Sequence, residues 1–242
     1  MKKSVRWGLT LALIFILCFI VRLPAGLLAH ALPPSVSLAG VEGSIWNGSA
    51  SALGIEGIVT QEKLHWQFEP LGLLHASLIW QLSGEHNGQP GTVRVLVGPR
   101  QQALEQVKLS LPLEPLTRFN QTLAGVRLGG TVQLESTHLA LHEPLKLTLR
   151  LERVSSSMAT EAALLGSYQV SIDADAAGAG KLQVSSLGGA LQVNGEGSFA
   201  LANKAVDLSL HLKPAEDLPG LAPLLATLPR DQGQYLLNFK RP

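Results

Sequence analysis

Apolar and polar residues alternate with a period of two along much of the chain, which is the pattern of β-strands that bury one face. In the clearest case, leucines alternate with polar side chains through residues 145–152. The same period recurs at residues 206–213 and 235–239. Weaker versions mark residues 64–69, 77–83, 92–97, 107–113, 127–134, 168–174, 181–187 and 197–201. The pattern therefore predicts a mainly β fold, a long antiparallel meander with one apolar face.

A sheet with so many strands must twist or curve, and its apolar side needs a cover. The segments that predict helices are short, at residues 116–124, 158–165 and 217–227. The first follows Pro115 and stops before Gly125, as helix start and stop signals do. We expect these helices to cap the sheet. The pattern leaves open whether the sheet closes into a sandwich or remains a curved, open groove.

The N-terminal pattern is different, because residues 7–21 form an uncharged run in which only Gly8 and Thr10 are not strongly apolar. Such a run belongs in lipid or in a secretory channel. At about 1.5 Å per residue it is short for a hydrocarbon core of roughly 30 Å. Extension to residue 28 gives full length, provided that the Arg22 side chain reaches the far headgroups. We therefore predict a transmembrane helix over residues 7–28, called the anchor segment below.

The charges that flank the anchor segment predict its orientation. Lys2, Lys3 and Arg6 precede Trp7, whereas Arg22 is the one base close behind the apolar run. The positive-inside rule then places residues 1–6 in the cytoplasm and residues 29–242 across the membrane. A cleaved signal peptide is the alternative, because Ala29-His30-Ala31 matches a small-x-small cleavage signature. Both alternatives export the same β-rich domain.

Composition narrows the classes of function. Cys18, the sole cysteine, lies in the anchor segment, so the exported domain can form neither a disulfide nor a cysteine-ligated metal site. Charged residues make up 15% of the chain and the net charge is +1, which leaves no basic face for nucleic acid. We expect a domain that is stabilised by apolar packing and has no nucleic-acid partner.

Sequence motifs for catalysis are missing. The chain has no Gly-x-Ser-x-Gly elbow, no phosphate-binding loop and no His-Glu-x-x-His run. His138 and His142 would share a strand face beside Glu143, but a metal site there would need further ligands. Asp173 and Asp175 share a strand face beside the glycine-rich turn of residues 176–180, where a surface loop is a better interpretation than a carboxylate pair. We therefore predict a protein that is not an enzyme and that takes no cofactor, no metal ion and no small-molecule substrate.

Three tryptophans, Trp46, Trp66 and Trp80, are candidates for either packing or binding. A buried tryptophan contributes a large apolar area and needs a partner for its indole N–H. An exposed tryptophan is typical of a membrane interface or of a surface that binds a partner. Trp66 and Phe68 share a strand face and therefore act together. The sequence leaves both alternatives open.

A glycine-punctuated run lies just beyond the anchor segment, at residues 38–50. Its glycines allow tight turns or close backbone approach, and Val41, Ile45 and Trp46 supply β-favouring bulk between them. By itself this run predicts a strand, a turn and a second strand. It offers no side chain for catalysis.

The order of features resembles protein N of the type II (general) secretion pathway. A short basic start, one membrane segment and the pair Pro24-Ala25 precede the sequence Gly-Val-Glu-Gly-Ser-Ile-Trp-Asn-Gly. The residues that match the motif of that family are Gly40, Gly43, Ser44, Ile45, Trp46 and Gly48. The resemblance implies a single-pass protein of the bacterial inner membrane with a periplasmic β-rich domain. It also implies a scaffolding role beside the other subunits of the inner-membrane platform, with membrane lipid contacted through the anchor segment.

A more distant likeness to AsmA-like envelope proteins leaves a second function open. In that alternative the apolar face of a curved sheet would bind lipid in a groove. An apolar strand face has the same sequence pattern whether it packs against protein or against an acyl chain.

Overall fold

The computed structural model describes residues 7, 11, 14–16, 18–99, 101–114, 128–140, 143–156, 164–202, 205–215, 222–231 and 233–241. Within these residues, fifteen strands form one sheet, and all the strand pairs are antiparallel. The strands are β1 (Val36–Ala39), β2 (Glu42–Gly43), β3 (Asn47–Ile55), β4 (Ile58–Phe68), β5 (Leu78–His86), β6 (Gln89–Val97), β7 (Gln102–Pro112), β8 (Leu128–Ala140), β9 (Leu145–Ser156), β10 (Leu164–Ala174), β11 (Ala179–Gly188), β12 (Leu191–Ala200), β13 (Ala205–Pro214), β14 (Arg230–Asp231) and β15 (Gln234–Arg241).

The strand order follows the chain almost throughout. It runs β1-β3-β4-β5-β6-β7-β8-β9-β10-β11-β12-β13-β15-β14, and β2 pairs with β3 beside β1. Among the described strands, β1 and β14 end this path without pairing to each other. The predicted antiparallel meander is therefore confirmed, and the described sheet is open rather than closed.

The strand register lines up apolar residues in rows across the sheet. One row, which we call the apolar ladder, runs from β7 to β15 through Leu109, Leu134, Leu149, Val170, Val184, Gly195, Leu210 and Leu237. Gly195 leaves space in this row that Leu210 occupies, because a Cβ at Gly195 would lie 2.9 Å from Leu210 Cδ2. The large side chains of the ladder are half-buried or, at Leu237, exposed. The described structure therefore covers this apolar face only in part.

Two clusters of fully buried residues lie in separate parts of the sheet. One contains residues of β8 to β10 and β12 together with Leu225 of helix α2 (Ala222–Ala226). The other contains Ala25, Ala50 and Trp66, with Leu28 of helix α1 (Gly26–Ala31) packed against it. Short helices thus contribute to both clusters, as expected for caps on a large sheet.

The helices differ from their predicted bounds. Residues 14–16 and 18–21 are helical, but the helix ends at Val21 and α1 begins at Gly26. Pro24 forms an isolated β-bridge with Ser44 between them. The interruption follows from Pro24, which disfavours a helical conformation at Leu23. Within the described residues, no helix is both long enough and apolar enough to cross a membrane.

Two other predicted helices are outside the described residues for all or most of their length. Residues 116–124 are not described, and of residues 158–165 only Leu164 and Leu165 are, both as part of β10. For these two leucines the helix prediction was wrong, because they begin β10, where Leu164 pairs with Ser155 of β9. Of the predicted helix at residues 217–227, the described part contains α2.

Candidate functional site

The glycines of the motif allow the chain to fold back tightly beside β3. Gly40 and Gly43 have φ of 59° and 87°. This backbone conformation is strained for residues that carry a side chain. Gly48 is limited by space, since a Cβ there would lie 2.6 Å from Glu42 O and 2.8 Å from Trp66 Cε2. These glycines permit the backbone to turn twice and then to pass the Trp66 ring.

Between β2 and β3 the chain forms a tight loop of residues 44–47, here called the motif loop. Ser44 N donates to Asn47 O at 2.9 Å. Ser44 Oγ accepts from Trp46 N at 3.3 Å and from Asn47 N at 3.1 Å. The serine of the motif therefore fixes the shape of the loop through its own hydroxyl group, as serine does in many turns.

Three successive carbonyl groups of the motif loop accept hydrogen bonds from β4 and β5. Trp66 Nε1 donates to Ser44 O at 3.0 Å, and Trp80 Nε1 donates to Ile45 O at 3.2 Å. The backbone N–H of Phe68 donates to Trp46 O at 2.7 Å. The loop is thus held on the sheet by backbone and indole donors.

Trp46, Phe68 and Trp80 form an aromatic cluster over the motif loop. The Trp46 ring is stacked on Trp80 with 6.1 Å between centroids and contacts Phe68 edge-on at 4.8 Å. Phe68 and Trp80 are 5.4 Å apart. Each such pair contributes about 0.5–1.5 kcal/mol beyond the burial of its area. Trp66 is fully buried, whereas the three rings of the cluster are half-buried. The tryptophans therefore include both a core residue and rings at a surface.

The motif loop also binds the end of the anchor segment. Trp46 Nε1 donates to Ile20 O at 2.8 Å, and Ile45 N donates to Leu23 O at 3.0 Å. Ala25 N donates to Gly43 O at 3.0 Å, and the Ala25 side chain is buried. We call this set of contacts the junction, formed by residues 20–25 against residues 43–46. It is a hydrogen-bonded connection between the anchor segment and the sheet.

The described residues of the anchor segment up to Val21 expose their large apolar side chains. Trp7, Leu11, Ile14, Phe15, Ile16, Phe19, Ile20 and Val21 are each at least 40% exposed. Arg22 is exposed as well, and its backbone N–H donates to Cys18 O at 3.2 Å. Lys2, Lys3 and Arg6, the predicted cytoplasmic flank, lie outside the described residues.

The acidic and histidine candidates have structural contacts. His138 Nε2 lies 3.0 Å from Glu143 Oε2, and its Nδ1 lies 3.9 Å from Glu105 Oε1, while His142 is outside the described residues. Asp173 faces Lys146 at 3.8 Å. Asp175 Oδ1 accepts from the N–H groups of Ala177 and Ala179 at 2.9 Å, which shapes the turn after β10.

Sequence reasoning missed several residues of this site. Leu23 and Ile20 take part through their carbonyl groups, and no side-chain pattern predicts that role. Asn47 Oδ1 accepts from Phe68 N at 3.2 Å, a contact across 21 residues. The uncharged run of residues 70–74 lies between two predicted strands, and period-two alternation alone gives it no role.

Comparison with known protein families gives a match over most of the chain. A family model described as Type II secretion system (T2SS), protein N, matches residues 34–238. The matched part begins between α1 and β1, includes the motif loop and extends into β15. Neither a curated protein nor a solved structure matches the chain.

Proposed function

Because the chain belongs to the family of type II secretion system protein N, we propose that it is a single-pass scaffold of the bacterial inner membrane in that system. In this proposal the N-terminus is cytoplasmic, the part of the anchor segment ahead of the junction lies in the membrane, and the junction and the sheet are periplasmic. Its partners are other subunits of the inner-membrane platform. The role is to help assemble or stabilise that platform, without turnover of a substrate.

The junction is the observation that supports this proposal best. Cleavage after Ala31 would remove Ile20, Leu23 and Ala25 from the junction. Ile20 and Leu23 each provide a carbonyl acceptor, and Ala25 provides an N–H donor and a buried methyl group. Loss of a hydrogen-bond partner leaves a polar group unsatisfied. Where that group is buried, this lowers the free energy of unfolding by about 1–3 kcal/mol. Retention of the anchor segment therefore fits the way in which the sheet binds its end.

The contacts of Asp175 and of the carboxylates near Arg94 favour a scaffold over an enzyme. Glu105 pairs with Arg94 at 3.1 Å, and Asp175 shapes a turn. Arg94 also binds Glu69 at 2.8 Å, and these carboxylates raise the pKa of Arg94. Each of these charged side chains therefore has a structural partner on the sheet. Separately, the exposed apolar side chains of the anchor segment are suited to attachment to a membrane.

A secretion assay tests the proposed function. In the bacterium that encodes the protein, removal of the chain should leave exported cargo in the periplasm, and the full chain supplied in trans should restore secretion. The matched variant Trp46→Phe keeps the aromatic ring but removes the indole donor to Ile20 O, so it should restore secretion less well. Unchanged secretion in the strain without the chain would contradict the proposal.

Membrane topology is tested separately. In cells whose outer membrane has been opened, external protease should degrade the sheet while the cytoplasmic start stays protected. A chain released as a soluble periplasmic form that lacks residues 1–31 would contradict the anchor and would favour the cleaved signal peptide.

The apolar ladder favours a second candidate function, the binding of lipid along the sheet. Its large side chains are half-buried or exposed although they line up over β7 to β15. An acyl chain would cover such a row. Mass spectrometry of the purified full chain distinguishes the two candidates, because stoichiometric phospholipid retained without detergent favours the groove, whereas lipid-free, monodisperse protein favours the scaffold.

A further inference from the structure

The loop between β4 and β5 exposes three leucines on one short turn. A 3-10 helix spans Pro70–His75, and we call residues 70–76 the leucine loop. Leu71, Leu73 and Leu74 are 74%, 55% and 79% exposed. Single exposed leucines are ordinary on protein surfaces, but a cluster of them marks a site that contacts another apolar surface.

The leucine loop is held in one shape. Gly72 is buried, and a Cβ there would lie 2.7 Å from Ser77 O and 2.8 Å from Ile79 Cγ1. Gly72 N donates to Glu69 O at 3.2 Å, Ala76 N to Leu73 O at 3.0 Å, and Ser77 N to Gly72 O at 3.0 Å. The exposure of the leucines is therefore a property of an ordered turn. Its internal hydrogen bonds also lower the cost of moving the loop into an apolar medium.

The charges near the leucine loop lie at its base. Glu69 precedes the loop and binds Arg94 of β6 at 2.8 Å, while Arg94 also binds Glu105 of β7 at 3.1 Å. Pro70 to Leu74 carry no charge, and His75 is the titratable residue of the loop. The loop thus has an apolar tip on a base of paired charges.

The leucine loop lies close to the junction. Phe68, two residues before Pro70, contacts Trp46 at 4.8 Å between centroids, and Trp46 Nε1 donates to Ile20 O. Leu71 is three residues beyond Phe68, a span of at most about 11 Å for an extended chain. Leu71, the first of the exposed leucines, therefore lies near the aromatic cluster that contacts the anchor segment at the junction.

We propose that the leucine loop inserts into the outer leaflet of the membrane that holds the anchor segment, as a second point of attachment. The occupant is the boundary of phospholipid headgroups and acyl chains, which ordered apolar tips and half-buried tryptophans suit. The loop follows Phe68 of the aromatic cluster, and Trp46 of that cluster donates to the carbonyl of Ile20, whose own side chain is exposed. This inference rests on the membrane anchor of the proposed function. Two attachment points would fix the tilt of the sheet over the membrane.

The test places a fluorescent label at single cysteines in the full chain with Cys18→Ser. The chain is reconstituted in phosphatidylethanolamine–phosphatidylglycerol vesicles that contain lipid with a nitroxide at a shallow acyl position. Leu74→Cys reports on the loop and Phe15→Cys on the anchor segment. Val59→Cys is the matched control, because Val59 is also exposed, at 47%, and lies on β4 about 30 Å from Phe68 at roughly 3.3 Å per residue.

We expect the nitroxide lipid to quench the labels at Leu74 and Phe15 several-fold more than the label at Val59. Quenching at Phe15 with equal, low quenching at Leu74 and Val59 would overturn the inference and leave the anchor intact. Low quenching at all three positions would overturn the anchor and this inference together. A label at Leu74 that is shielded from aqueous iodide but not quenched by the lipid would identify protein as the occupant, and would also overturn it. Unchanged circular dichroism and tryptophan emission show that each variant is folded.

Discussion

Gly48 has little room for change because it lies between Glu42 and the Trp66 ring. We predict that Gly48→Ala lowers the free energy of unfolding by about 1–3 kcal/mol, the usual cost of overpacking. Gly26→Ala is the control, since a Cβ at Gly26 has no atom within 4 Å and φ there is not positive. Chemical denaturation of the full chain in detergent measures both variants. Equal stability of the two variants would show that the Trp66 ring can move away.

Tyr168 gives the sheet a dependence on alkaline pH. Its hydroxyl donates to Leu191 O at 2.7 Å, and burial raises the pKa of Tyr168 from 10.0 to about 12. The folded chain therefore keeps this proton at a pH where the unfolded chain loses it. The stability tied to this proton is fully present below pH 10 and is lost as pH rises through about 12.

We predict that Tyr168→Phe is less stable than the wild type by about 1 kcal/mol at neutral pH, because Leu191 O loses its donor. The variant should then lose less stability than the wild type as pH rises above 10. Denaturation midpoints of both chains over that range provide the measurement. Parallel curves would mean that Tyr168 does not titrate differently in the folded chain.

The sequence predicted the roles of single residues where those roles depend on neighbours close along the chain. The motif glycines were expected at tight turns or close approaches, and Gly40, Gly43 and Gly48 have those roles. The partner of Trp46 was out of reach, because Ile20 O is 26 residues away and any residue type offers a carbonyl group. The pattern also left Trp66 equivalent to Trp80, although burial separates them.

At the scale of elements, period-two alternation located most strands but often missed their ends. β9 was predicted over residues 145–152 and extends to Ser156, past a register shift in its pairing with β10. β3 has no strong alternation in Asn-Gly-Ser-Ala-Ser-Ala-Leu-Gly-Ile, because small residues replace large ones beside the motif loop. Bulges and small residues hide strands from a pattern that depends on side-chain size.

The apolar ladder leads to a prediction about strand packing. Leu149 in β9 is half-buried, whereas Leu191 in β12 is 6% exposed and belongs to a core cluster. Leu191→Ala should lower the free energy of unfolding by about 2–5 kcal/mol. Leu149→Ala should lower it by less, since it leaves a smaller cavity. Denaturation of the two variants measures the difference. Equal costs would mean that the ladder is covered in solution by a further surface.

At the scale of the whole molecule, the meander followed from the order of the strands in the sequence, since neighbouring antiparallel strands need only short connections. The order of the strands did not predict that the described sheet is open. Alternation gives each strand an apolar side but does not say whether a second layer packs on it. In the described residues, α2 covers one region and Ala25 with α1 covers another.

Removal of the anchor segment tests how the whole domain depends on the junction. We predict that a chain beginning at Leu32 folds without metal or disulfide, as shown by β-type circular dichroism. Its tryptophan emission should be shifted to longer wavelength than that of the full chain carrying Trp7→Phe, because Trp46 loses Ile20 O and Trp66 loses the packing of Ala25. A requirement for metal would contradict the packing of this core, and an unshifted emission would contradict the junction.

The linear strand order has a mechanical consequence. Each long strand hydrogen-bonds only to its neighbours in the described sheet, so tension applied at one end passes from one hairpin to the next. The junction delivers tension from the anchor to β3, β4 and β5. Under a pull on the anchor segment, these strands would bear the load first and separate one after another. The region around α2 would unfold last, because unfolding would proceed from strand to strand away from the junction.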